Sequence, residues 1–326
     1  MKNQTNSKSG PVTIPMTNDY LFRALLQRNN KVLKGLISSV LHIPVEEITS
    51  VVITNPVELG KSIDAKDFYL DVRVKLNKGT LINLEMQVLN EKNWPERSLS
   101  YLCRTFDNLS KGDDYINVKP VIQICFLDFT LFPEYPEFYA NYYFMNVKNY
   151  TKYSDKIRLG VIDLNHIELA TEEDKKYQID YWAALFKATT WEEIKMLAQN
   201  NEFIEEASET IYQLTQEEEI RLQCEAREEY YRIERCRQHE LNVAKAEKAT
   251  LEEEKKEAER AREKAERAQE EAERAREKAE KAQEKAERAQ AEAERAKEKA
   301  DKENAEREAK LQAEIARLKA ELAAKA

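Results

Sequence analysis

The fold is decided by residues 69–88, which read YLDVRVKLNKGTLINLEMQV. Apart from one break just before the turn, apolar and polar residues alternate on both sides of residues 77–79, and this pattern predicts two half-buried strands joined by a tight turn. If these three residues form the loop and Gly79 takes a left-handed conformation, Leu76 lies opposite Thr80. The register of the hairpin then follows outward from that pair.

This register gives the hairpin one apolar and one polar face, because side chains alternate along a strand and directly opposed residues point the same way. The apolar face comprises the pairs Val74 with Ile82, Val72 with Leu84 and Leu70 with Met86. The polar face comprises Tyr69, Asp71, Arg73, Asn83, Glu85 and Gln87. A shift of one residue would mix the two sets, so the pattern specifies the register.

Asp71 lies directly opposite Glu85 in this register, and opposed like charges destabilise a hairpin. A cation between two carboxylates turns that repulsion into a binding site, and Mg²⁺ typically takes one or two carboxylates together with waters and a phosphate. The alternative is a hairpin with one face in water, where acids, amides and arginine are ordinary. The hairpin pattern alone favours this solvated interpretation.

Motifs in and around the hairpin favour the cation site over the solvated face. Asp71, followed on the next strand by Glu85-Met86-Gln87, resembles the signature of PD-(D/E)XK nucleases, with Gln87 in the place of the usual lysine. The wider frame comprises residues 17–23, 66–71, Gly79, 83–87, Arg97, Tyr101, Gly112, Tyr115 and 119–127. Over about residues 15–200 the chain resembles the PD-(D/E)XK family transposases, the Rpn-type recombination-promoting nucleases.

The resemblance implies a metal-dependent DNA endonuclease that hydrolyses phosphodiester bonds and is associated with DNA recombination or transposition. It implies Asp71, Glu85 and Gln87 as catalytic residues, with Asp71 and Glu85 holding Mg²⁺ or Mn²⁺ together with a backbone carbonyl near Met86. An amide can orient water but cannot act as its base, so removal of the proton falls to bulk water, to a substrate phosphate or to the action of a second metal. The implied fold is α/β and restriction-endonuclease-like, a mixed sheet flanked by helices.

Three basic residues are candidates for contact with the DNA backbone. Lys66 lies in the loop before the hairpin, where it can reach a phosphate or remain solvated. Arg97, Tyr101 and Arg104 share one face of a predicted helix at i, i+4 and i+7, which suits phosphate contact if that face borders the site. A merely solvated face is an equal alternative.

Composition and charge argue against several other classes of protein and site. The formal net charge of −9 argues against a generally basic nucleic-acid-binding surface, but it leaves room for a local basic groove. Four cysteines without CxxC spacing and three dispersed histidines argue against zinc and favour free thiols in a reducing compartment. No apolar run approaches the roughly 18 residues of a membrane span, and the polar start MKNQTNSKSG lacks a signal-peptide core. We therefore expect a cytoplasmic protein without a membrane partner.

The sequence predicts a disordered arm at residues 1–15 and a nuclease-like domain at 16–215. The predicted helices are 18–27, 31–41, 95–110, 172–188, 191–198 and 202–214, and the strands besides the hairpin are 51–54, 120–126, 139–145 and 157–164. The expected buried stripe of the helix at 95–110 comprises Leu99, Leu102, Cys103, Phe106 and Leu109. Asn18 or Asp19 is expected to cap the first helix. A role for Asp19 at the metal is the less favoured alternative.

Residues 216–326 predict a long charged helix. From Ala258 to Ala300 alanine recurs every seven residues at two positions, which is typical of a coiled-coil seam. The i, i+4 pairs Glu263–Arg267, Glu270–Arg274, Glu277–Lys281 and Glu284–Arg288 make a charge-stabilised single helix the alternative. Near the end, Leu311, Ile315, Leu318 and Leu322 form a true apolar stripe, where we place any contact of a homodimer.

A second functional class stays open at this point. The globular part can be a catalytically inactive nuclease-like protein that binds DNA or serves as a scaffold, with the tail as an oligomerising coiled coil. The presence of Asp71, Glu85 and Gln87 together favours an enzyme, whereas the acidic net charge leans mildly towards the alternative.

Overall fold

The computed structural model describes residues 8–57, 59, 71–77 and 79–323, with side chains described up to residue 320. Its helices are α1 (Asp19–Arg28), α2 (Asn30–Leu41), α3 (Trp94–Phe106), α4 (Glu172–Lys176), α5 (Ile179–Lys187), α6 (Trp191–Ala198), α7 (Glu202–Gln216) and α8 (Glu218–Ala323). Its strands are β1 (Val51–Ile53), β2 (Val72–Leu76), β3 (Thr80–Gln87), β4 (Val121–Leu127), β5 (Tyr139–Tyr142) and β6 (Ile157–Asp163). Short 3-10 turns occupy Val45–Glu47, Tyr115–Asn117 and Ile167–Leu169.

A six-stranded sheet, in the order β1-β2-β3-β4-β6-β5, organises the head, the compact unit Met1–His239. The strands β1, β2 and β3 are antiparallel neighbours, β3, β4 and β6 run parallel, and β5 returns antiparallel to β6. The predicted α/β class, a mixed sheet flanked by helices, is confirmed. Because neighbouring parallel strands point the same way, the carboxyl ends of β3, β4 and β6 lie at one edge of the sheet.

The hairpin of β2 and β3 has the register that the sequence predicts. Leu76 pairs with Thr80, Val74 with Ile82 and Val72 with Leu84. The turn differs in that Asn77 is left-handed, with φ of 46°, while Gly79 has φ of 135°. The Asn77 carboxamide oxygen accepts the N–H groups of Thr49 and Ser50 at 2.8 and 3.0 Å, and asparagine tolerates this backbone region better than most residues. Tyr69, Leu70 and Lys78 lie outside the described residues.

The apolar face of the hairpin belongs to the main hydrophobic core, which it shares with α1, α2, α5 and α7. Phe22 of α1, Phe126 of β4 and Phe186 of α5 pack together, with ring centroids 5.7, 5.5 and 5.2 Å apart. Trp182 of α5 is fully buried, and its indole N–H donates to the Ser39 hydroxyl oxygen of α2 at 3.0 Å. The core therefore holds the helices against the sheet, and the one polar group of Trp182 has a hydrogen-bond partner within it.

The polar face of the hairpin is partly shielded from water, because α3 packs on the neighbouring strands β4 and β6 and its Arg97 contacts Glu85. Asn83 and Glu85 of β3 are buried. The face that α3 turns to the sheet comprises Trp94, Ser98 and Leu102, spaced four residues apart, and a small second cluster joins Trp94 to Cys125, Leu127 and Val161. The predicted buried stripe is thus wrong in part: Leu99 is 44% exposed and Cys103 is exposed, because Trp94 sets the rotation of the helix. The helix also ends at Phe106, earlier than predicted.

Two further segments differ from the sequence expectation. The helix predicted at 172–188 is divided into α4 and α5 because Gln178 adopts a left-handed φ of 56°. Residues 10–14, assigned to the disordered arm, contact the head: the Val12 N–H donates to the Thr189 carbonyl at 2.8 Å, and Ile14 is buried. Residues 1–7 lie outside the described part of the chain.

The first turns of α8 belong to the head. Ile220, Cys224 and Tyr231 are buried there, so the compact unit includes residues beyond position 215, where the sequence places the domain boundary. All four cysteines are free, with Cys125 and Cys224 buried. Among the described residues, no helix combines the length and the apolar character that crossing a membrane requires.

The tail, the second compact unit Glu240–Ala326, is helical to Ala323. Every residue from 241 to 320 is exposed. The four predicted i, i+4 pairs are present, with N–O distances of 4.0, 3.9, 2.5 and 2.7 Å. Leu311, Ile315 and Leu318 are exposed, whereas the side chain of Leu322 lies outside the description. Self-association through this stripe stays a prediction.

Candidate active site

A cavity of about 460 Å³ opens at the carboxyl end of β3, between the hairpin, α3, the start of α1 and the first turns of α8. Four acidic residues line it, Asp19, Asp71, Glu85 and Glu91, and we call the first three the acidic cluster. A neighbouring cavity of about 350 Å³ shares Asp71, Tyr101 and Arg104 with the first. The two cavities therefore form one groove along the polar face of the hairpin.

Asp71 immediately precedes β2 and is 5% exposed. Its main chain is held from α1: the buried Arg23 guanidinium donates to the Asp71 carbonyl at 2.5 Å and to the Asn55 carbonyl. The Asn55 amide donates to the same Asp71 carbonyl at 2.9 Å. The Asp71 carboxylate accepts from Nε of Arg73 at 2.9 Å. These contacts hold the backbone at the start of β2 in place, and this fixes the position from which the Asp71 carboxylate extends.

Glu85 lies near the end of β3 and is 6% exposed. Its carboxylate accepts one hydrogen bond from Nη2 of Arg97 and one from Nε2 of Gln123, each at 3.2 Å. The Gln123 carboxamide oxygen accepts in turn from the Asn83 amide at 2.9 Å. Burial raises the pKa of Glu85 to about 7; the positive charge of Arg97 opposes this shift, and the nearby charges of Asp71 and Asp19 add to it.

The raised pKa of Glu85 predicts a pH-dependent stability in EDTA. In the unfolded chain this carboxyl ionises near its ordinary value of 4.5, but in the head it keeps its proton until about pH 7. The stability that neutral Glu85 provides is complete below pH 4.5 and is lost as the pH rises through 7. We expect Glu85→Gln to gain stability over wild type between pH 5 and 8, by roughly 3 kcal/mol at most.

Urea denaturation followed by tryptophan fluorescence measures this difference at each pH. Glu96→Gln, at an exposed position of α3, is the matched control and should show no such trend. A difference between Glu85→Gln and wild type that stays constant from pH 5 to 8 would contradict the burial argument.

The start of α1 resolves the two roles weighed for Asn18 and Asp19. Asn18 is the cap, and its side-chain oxygen accepts the Leu21 N–H at 3.1 Å. Asp19 is not the cap. Its carboxylate lines the cavity and binds the guanidinium of Arg227 from α8, with Nε of Arg227 2.8 Å from Oδ1 of Asp19. The structure thus brings Asp19 to the other two acids.

Four arginines surround the acidic cluster. Arg73 lines the smaller cavity, Arg97 and Arg227 line the larger one, and Arg104 lines both. The helical face predicted for Arg97, Tyr101 and Arg104 therefore borders the groove. Contact of this face with DNA stays a prediction, and Lys66, the other basic candidate, lies outside the described residues.

Gln87 also lines the cavity, and its amide N–H donates to the Leu89 carbonyl at 2.9 Å. Among the described residues, no group of three or more histidine, cysteine or acidic side chains is arranged closely enough to hold a metal ion. Two carboxylates are sufficient for Mg²⁺ when waters and a phosphate complete its ligands. Asp71 and Glu85 supply such hard oxygen donors at one cavity, so their chemistry fits Mg²⁺ or Mn²⁺, with Met86 beside them.

Sequence reasoning missed two residues of this site. Gln123 is the one polar side chain within β4, VIQICFL, and this exception in an apolar run was the available signal. Arg227 lies 208 residues after Asp19 in a helix that is charged along its whole length, so no sequence pattern distinguishes it from the other arginines there.

Comparison with known proteins adds one finding. The family model described as PD-(D/E)XK nuclease family transposase matches residues 16–240. No curated protein and no solved structure matches the chain.

Proposed function

Because this chain belongs to the PD-(D/E)XK nuclease family transposases, we propose that it is a metal-dependent DNA endonuclease that hydrolyses phosphodiester bonds during recombination or transposition. The observation that carries the proposal is the groove itself. Asp71 and Glu85 line a cavity that Arg97, Arg104 and Arg227 also line. Carboxylates suit a divalent cation, and guanidinium groups suit the phosphates of DNA.

In this proposal Asp71 and Glu85 hold Mg²⁺ or Mn²⁺. A bound divalent cation lowers the pKa of a water ligand and offsets the charge that develops on a phosphate. Binding and positioning of the DNA depend on side chains of the protein. Arg97 and Arg104 bind phosphates of the DNA backbone, which sets its register in the groove without reading bases.

Gln87 has a limited role in this chemistry. Its amide can orient the attacking water through a hydrogen bond, but it has no basic group that accepts the proton. The proton of that water therefore passes to bulk solvent or to a substrate phosphate. The DNA is the substrate partner, and two chains can associate through the apolar stripe of the tail.

The alternative is a catalytically inactive DNA-binding or scaffold protein. One observation favours it: every acid of the cluster already holds an arginine, namely Arg227 on Asp19, Arg73 on Asp71 and Arg97 on Glu85. Such pairs would also serve a purely structural site.

Supercoiled plasmid incubated with the purified protein and Mg²⁺ separates the two functions. We expect nicking or linearisation that EDTA and Asp71→Ala both abolish, because each removes a required part of the cation site. Asp155→Asn is the control, since its carboxylate is 84% exposed and pairs with Lys152 away from the groove. A folded protein that leaves plasmid intact in both Mg²⁺ and Mn²⁺ would favour the binding or scaffold function.

A further inference from the structure

Arg227 brings a residue of α8 into the acidic cluster. Its side chain is 12% exposed, and that of its partner Asp19 is 9% exposed. Its guanidinium makes two contacts with the Asp19 carboxylate, one of them at 2.8 Å, and lies 4.9 Å from the ring centroids of both Tyr230 and Tyr231. A paired, two-point contact of this kind is the geometry in which guanidinium also binds phosphate.

The negative charge of the acidic cluster is therefore balanced by arginines of the protein itself. A cation that enters the cavity meets positive charge at each acid, and it competes with the guanidinium groups for the same carboxylate oxygens. DNA has the opposite effect, because its phosphates offer the displaced guanidinium groups new anionic partners. Cation and DNA should then favour each other's binding. The cation frees guanidinium groups for the phosphates, and the phosphates keep those groups away from the carboxylates that the cation needs.

Arg227 is better suited to such an exchange than the other two arginines. Arg97 keeps a second carboxylate, that of Glu91 at 3.8 Å, if it leaves Glu85. Arg73 lies two residues after Asp71 in the chain and is more than half exposed, so water already screens its charge. Arg227 and Asp19 are both largely buried, so their contact has the larger electrostatic consequence.

We propose that Arg227 is an exchangeable counter-ion of the site: it neutralises Asp19 in the free protein and binds a DNA phosphate when a divalent cation is present. The inference rests on the proposed function, because it takes DNA and a cation as the ligands of the groove. It adds that α8, outside the sheet and its covering helices, supplies a substrate-binding residue.

The test compares Arg227→Gln with Arg232→Gln in the full-length protein. Arg232 lies on the same helix, its side chain is 65% exposed, and it pairs with Glu229, so its replacement removes the same charge away from the groove. Mn²⁺ binding without DNA is measured by electron paramagnetic resonance. Binding of a fluorescent DNA duplex is measured by anisotropy in EDTA and in Ca²⁺, over a series of salt concentrations.

For Arg227→Gln we expect Mn²⁺ to bind about tenfold more tightly, because a competing positive charge is gone. We expect DNA in Ca²⁺ to bind about tenfold more weakly, with the slope of log K against log salt reduced by about 0.9, the value for one phosphate contact. Arg232→Gln should match wild type in the Mn²⁺ measurement. Equal behaviour of the two variants in both measurements would overturn the proposal.

A second variant serves if Arg227→Gln fails to fold. Asp19→Asn releases Arg227 without removing it, so DNA should bind severalfold more tightly in EDTA than it binds wild type, and unchanged or weaker binding would overturn the proposal. Plasmid cleavage distinguishes failure of the Arg227 proposal from failure of the proposed nuclease function. Cleavage without any difference in Mn²⁺ and DNA binding between the arginine variants rejects the Arg227 proposal alone. Coupled binding of cation and DNA without cleavage rejects the nuclease function alone. Absence of both cation and DNA binding rejects both.

Discussion

Glu85→Gln is expected to lower the rate of plasmid cleavage by about 10³-fold, equivalent to about 4 kcal/mol of transition-state stabilisation. Glutamine has the size of glutamate, and its oxygen can still accept from Arg97, so the packing of β3 against α3 is retained. An amide oxygen is neutral, however, and cannot replace the anionic ligand that a divalent cation requires. Initial rates of nicking in excess Mg²⁺ measure the effect.

Two additional results make this variant decisive. Mn²⁺ binding should weaken together with cleavage, because both depend on the same carboxylate. Glu96→Gln, which removes an exposed acid from α3, should cleave at the wild-type rate. If Glu85→Gln retained more than about a tenth of that rate, about 1.4 kcal/mol, Glu85 would not be a ligand of the catalytic cation.

Trp182→Ala is expected to destabilise the head by about 3–5 kcal/mol, since it deletes the largest kind of side chain from a fully buried position. It also leaves the Ser39 hydroxyl without the indole N–H that donates to it at 3.0 Å. A loss of this size is a large fraction of the 5–15 kcal/mol that typically separates folded from unfolded domains.

Urea denaturation followed by the fluorescence of Trp94 and Trp191 measures this loss. The tail contains no aromatic residue beyond Leu251, so this signal reports the head alone. Met196→Ala is the control, because Met196 is 61% exposed and its truncation should change stability by less than about 0.5 kcal/mol. A destabilisation below about 1 kcal/mol for Trp182→Ala would show that α5 does not anchor the core.

The hairpin shows how much of this protein a local pattern determines. The alternation on both sides of the turn fixed the pairs Val74–Ile82 and Val72–Leu84, because a strand buries every second residue and a shifted register would bury the polar set. The same stretch placed Asp71 and Glu85 on one face. The charge pairs of the tail were equally predictable, since residues four apart on a helix are always neighbours.

The surroundings of those two acids depend on tertiary structure. The buried face of α3 runs through Trp94, Ser98 and Leu102, and the sequence did not show that Trp94 would set it. Gln123 reaches Glu85 because β4 lies parallel beside β3, a pairing that joins residues 38 apart. Such contacts arise from the packing of whole elements, whereas a sequence pattern reports only neighbours within one element.

The sequence by itself therefore determined the mixed sheet, the hairpin register and the placement of Asp71 and Glu85 at one cavity. Only the tertiary structure decided that Asp19 turns into the cavity rather than capping α1, and that Arg227 meets it there from 208 residues away. The physical reason is the distance along the chain over which each interaction acts. Alternation and helical spacing act over a few residues and are written in the order of the chain, but charge compensation in a buried site is satisfied by whichever element the fold brings close.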